Sequence, residues 1–199
     1  MEFFSYSRSK AIILAKSKFD EQNEHSKKRN LRFSDILFNR FQNVNYFAQF
    51  SIIDTIKELH ELDESVDTLK LLQAIFIHLY LNNEECTAPM MALLVRLLSR
   101  FEITGKLYAQ YDPSIRRGQG AYENYETYAL LSCCLINVYR ATNSFKILNA
   151  VLKLNDLLSR ILIEEEINDV GLILYALQEE EIEVLALYDR QGFSLTANK

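Results

Sequence analysis

No tryptophan occurs in this chain of 199 residues, and there are only 2 prolines, 5 glycines, 3 cysteines and 3 histidines. So few glycines and prolines exclude the many tight turns of an all-β sandwich. Cys86, Cys133 and Cys134 make no disulfide framework, and a bridge between the adjacent pair would be badly strained. Reduced thiols in a cytoplasm fit this usage. His25, His60 and His78 are far apart, no C-x-x-C or Glu-x-x-His pair is present, and the spacing argues against any metal site. A G-x-S-x-G elbow is absent too, and Gly118-Gln119-Gly120 fits neither a P-loop nor a dinucleotide fingerprint. No catalytic residue and no cofactor is therefore expected. The longest apolar run, Leu71–Leu81, is broken by Gln73 and His78 and is too short for a bilayer. Met1-Glu2-Phe3-Phe4 begins with an acid and shows no secretory signal pattern, so the expected location is cytoplasmic.

What is present is helix-forming. Hydrophobic residues make up 49% of the chain, leucine, isoleucine and alanine dominate the apolar segments, and charges recur at helical spacing. The expectation is an all-α fold of about seven or eight helices arranged as antiparallel hairpins. Residues 1–190 should form one helical domain and 191–199 a mobile tail. The net charge of −5 argues against a nucleic-acid binder, because phosphate contacts need a basic surface. Charge is polarised: residues 1–40 hold nine Lys/Arg against five Asp/Glu, whereas 161–199 hold two against nine. Such polarity reads first as solvated helix faces; the other readings are that the two ends contact each other or meet different partners.

The first helix is expected over Ser5–Glu21, with Ile12, Ile13, Ala15 and Phe19 on its apolar side. Residues 22–30 read as a loop, 33–41 as a short helix, and Val44–Leu62 as an amphipathic one. Cap-type residues over Asp63–Asp67 mark the turn into an apolar helix, Thr68–Asn82. Pro89 suits the first turn of the next, which reaches Phe101 or beyond. After a loop over 103–121, further helices are expected at Tyr125–Ala141, Ser144–Leu162 and Glu164–Tyr188. The last carries a stripe of Ile167, Val170, Leu174, Leu177, Val184 and Tyr188 that offers a contact surface.

Asp67–Phe101 and Glu126–Ile161 align with each other: Thr68 on Thr127, Leu71-Leu72 on Leu130-Leu131, Tyr80 on Tyr139. Their apolar spacing is similar to that of α/α-toroid and helical-repeat proteins in general. That resemblance implies an α/α-superhelical or toroid-like packing of the hairpins.

Two groups of residues invite a functional reading. His78, Asn137 and Asn155 are polar positions on apolar stripes; buried, each needs a partner, and together they could line a cavity. The segment Tyr111–Tyr125 combines Arg116-Arg117 with Gly118, Gly120 and the tyrosines 111, 122 and 125. Arginines hold carboxylate or phosphate bidentately, and tyrosines offer flat, partly polar contact surfaces. The expectation is a non-catalytic interaction protein with a protein partner, an adaptor or accessory subunit. The alternative is a helical domain for an anionic small molecule or a sugar, in the manner of α/α-toroid enzymes.

Overall fold

Helix dominates, as the apolar spacing requires. A computed structural model describes residues 6–22, 66–81, 84–111, 119–165, 167 and 170–190, and 82% of these are helical. In chain order the elements are α1 (Tyr6–Gln22), β1 (Val66–Asp67), α2 (Thr68–Phe76), α3 (Ala88–Thr104), β2 (Tyr108–Tyr111), β3 (Gln119–Tyr122), α4 (Tyr125–Thr142), α5 (Phe145–Glu164) and α6 (Gly171–Arg190). Beyond Phe76 the coil of α2 widens into a π-turn over Ile77–Leu81. The helices expected over 33–41 and 44–62, the loop expected over 22–30 beyond Gln22 and the tail 191–199 lie outside the described residues.

Local chemistry sets most boundaries. Asp67 caps α2 by accepting a hydrogen bond from the Lys70 amide at 2.9 Å. Thr87 caps α3, with Pro89 in the first turn, where a missing N–H removes no helix bond. Gly105 ends α3 in the left-handed region at φ +70°, donating its amide to the Phe101 carbonyl at 2.7 Å. Asn124 accepts from the Glu126 and Thr127 amides at the start of α4, and Asn143 ends that helix at φ 51°.

The core is built around α4. Every residue from Thr127 to Ile136 is buried there, so this helix is enclosed on all sides. It packs on α2, α3, α5 and α6, while α1 lies against α5 and α6. The basic-rich first helix thus meets the acidic-rich last one, which favours contact between the ends. Of the helices in the two sequence-similar segments, α4 packs against α5, and α2 and α3 each pack against α4. Among the described residues no helix is long and apolar enough to cross a membrane.

Four expectations need correction. In α1 the buried residues are Ala11, Ile12, Ala15 and Phe19, whereas Ile13 is 69% exposed; steps of four from Ala11 form the ridge that docks. The last helix begins at Gly171 and not at Glu164, because Leu158 and Leu162 keep burying themselves and carry α5 through Glu164. Of its expected stripe, Ile167, Val170, Leu174, Leu177 and Val184 are all buried, the first two ahead of the helix, and offer nothing to a partner. Finally, the expected loop over 103–121 contains β2 and the start of β3.

These strands complete a three-stranded antiparallel sheet in the order β1-β2-β3, with Val66 opposite Tyr111 and Tyr108 opposite Tyr122. Between the pairs Tyr108–Tyr122 and Gln110–Gln119, two residues of β3 face one of β2. Gly120 takes up the extra residue at φ +86°, the conformation such a bulge asks of glycine. Thr68 at the head of α2 donates its hydroxyl to the Tyr108 carbonyl at 2.7 Å, fixing the sheet to the helices.

Candidate functional site

Three polar clusters stand out among the described residues. The first ties α4, α5 and α6 together. Ser132 donates to Asn155 Oδ1 at 2.7 Å, and Asn155 Nδ2 donates to Glu180 Oε2 at 2.6 Å and to the Ala176 carbonyl at 3.1 Å. All three side chains are sealed from solvent. In the second, Arg140 of α4 grips Glu183 at 2.6 Å and Glu179 at 2.9 Å. Burial opposes the Arg140 charge, but the Glu183 hydrogen bond and the two carboxylates outweigh it and hold the guanidinium above its ordinary range. Phe76, Tyr80 and Tyr175 pack ring against ring beside it. Tyr80 donates to the Cys133 carbonyl at 2.8 Å. Burial, then Cys133 and Glu179, keep its hydroxyl well above the usual phenol range.

The third cluster surrounds His78 in the π-turn. Its Nδ1 stands 3.2 Å from Glu84 Oε2 and its Nε2 3.3 Å from the Glu85 carbonyl. Both partners accept, so a neutral ring donates to one of them and a doubly protonated ring to both. Asn137 is half-buried on α4, with its Nδ2 sealed and without a partner. His78 and Asn155 therefore serve separate clusters, and neither of them, nor Asn137, lines the cleft described below.

The cysteines are poor nucleophiles. Burial pushes the thiols of Cys133 and Cys134 well above the ordinary range, and lifts Cys86 to about 11. Thiolate is the reactive form, and it is scarce at neutral pH. Among the described residues no three His, Cys, Asp or Glu side chains are grouped to hold a metal.

One feature opens to solvent at the sheet. A shallow, open cleft lies between the C-terminal end of α3, the head of α2 and strand β2. Arg100 and Lys106 contribute cations; Thr68, Gln110, Tyr108 and Tyr111 contribute polar groups; no carboxylate lines it among the described residues. Arg100 places its guanidinium 4.6 Å from the centre of the Tyr111 ring, a cation–π contact. Tyr111 is only 1% exposed, and its buried hydroxyl has no hydrogen-bond partner. At the base of the sheet Tyr128 accepts from the Leu107 amide at 3.4 Å, and Glu123 donates its amide to the Leu107 carbonyl at 2.9 Å.

Of the residues singled out in the sequence, Tyr111 forms the inner wall of this cleft instead of a rim. Tyr125 is half-buried against the core at the head of α4. Tyr122 ends β3, and Arg116 and Arg117 lie outside the described residues. Arg100, Lys106, Thr68 and Gln110 were not among the site residues expected from the sequence; the one signal was the pair of cations that brackets the end of α3. The chain matches no family model, no curated protein and no solved structure.

Proposed function

We propose that this chain is a non-catalytic helical interaction protein, an adaptor or accessory subunit, whose partner docks at the end bearing the three-stranded sheet. The carrying observation is the cleft beside Tyr111, lined by two cations and, among the described residues, by no acid. It is a shallow indentation open to solvent, far smaller than the roughly 300–1,000 Å³ of sites that enclose a metabolite or sugar. A single group presented by a larger partner suits it better. The other polar clusters support the same reading, since Asn155, Arg140 and His78 are engaged in holding helices together. The stripe residues Leu174, Leu177 and Val184 of α6 are packed into the protein, and this reading places recognition at the sheet end.

Site-specific photocrosslinking tests this. A crosslinking residue is placed at Ala121, exposed on β3, and in a second variant at Lys153, exposed on α5. A stoichiometric protein adduct from position 121 and none from 153 is expected in extract of the native host. Adducts from 153 alone would move the contact surface away from the sheet.

A further inference from the structure

We draw no further inference here: the strongest candidate, the exposed apolar face of α3 that Ala92, Val95 and Ile103 share, supports no proposal, since nothing in the structure shows what covers it.

Discussion

Replacing Asn155 by leucine should be among the most damaging single changes available in this core. The side chain is fully buried and joins three helices: it accepts from Ser132 of α4 and donates to Glu180 and to the Ala176 carbonyl of α6. Leucine conserves most of the volume, so almost no cavity is created and the loss is one of hydrogen bonds. Ser132 would be left as an unpaired buried hydroxyl, at about 1–2 kcal/mol. Glu180 would lose a 2.6 Å donor in a fully buried site, at about 2–3 kcal/mol for a bond to a charged or chargeable group. The Ala176 carbonyl keeps its helical bond and adds little. The sum is about 3–5 kcal/mol, a large share of the roughly 5–15 kcal/mol that holds a domain together. For a chain of this size it corresponds to a fall of about 10 °C in Tm. Urea unfolding followed by far-UV circular dichroism gives the free energy directly. A loss below about 1 kcal/mol would refute the reasoning, since it would mean that the network is satisfied by water or by other groups.

Three further outcomes are expected. Arg140→Met leaves Glu179 and Glu183 facing one another at 13% and 10% exposure, and should destabilise by about 2 kcal/mol, with partial recovery on adding Glu183→Gln, both read from urea midpoints. Gly105→Ala forces a β-carbon onto a left-handed backbone with no neighbour within 4 Å, so the cost is conformational alone, about 1 kcal/mol by thermal unfolding. At alkaline pH, Cys86 keeps its proton in the folded chain to about 11 but loses it near 9 when unfolded. The folded state therefore binds more protons between those values, and stability falls as pH rises through that window, in the same direction as the buried Cys133, Cys134 and Tyr80. The urea midpoint should be lower at pH 10.5 than at pH 8, and Cys86→Ser should flatten part of the fall.

Much of the helical layout was legible because it is decided locally. Asp67, Pro89 and Asn143 mark helix ends by chemistry that acts over one turn, and each stands where a boundary occurs. The all-round apolar pattern of Tyr125–Ala141 marks a central helix for the same reason. Other features depend on partners far away in the chain. Ile12 and Ile13 are equivalent in composition, and only the docking of α1 on α5 and α6 buries the first and exposes the second. Strand β2 is four residues long with one fully buried side chain, Tyr111, and it pairs with the two-residue β1 across more than forty positions. No periodicity can accumulate over such lengths. The cleft is harder still, since Thr68 of α2 meets Arg100, Lys106 and Tyr111 only in the folded chain. The sequence pointed to this neighbourhood through tyrosine and arginine density around 111–125; Arg116 and Arg117 lie outside the described residues, and the cations that line the cleft are Arg100 and Lys106.

Native mass spectrometry of the tagged protein, gently purified from its native host, addresses the interaction role most directly. The Arg116→Glu/Arg117→Glu variant, altered in the segment that joins β2 to β3, is run beside the wild type. A stoichiometric protein partner on the wild type, lost from the variant, is the predicted result. A bare chain, or one carrying only a small-molecule adduct, would contradict it and shift the assignment to ligand binding.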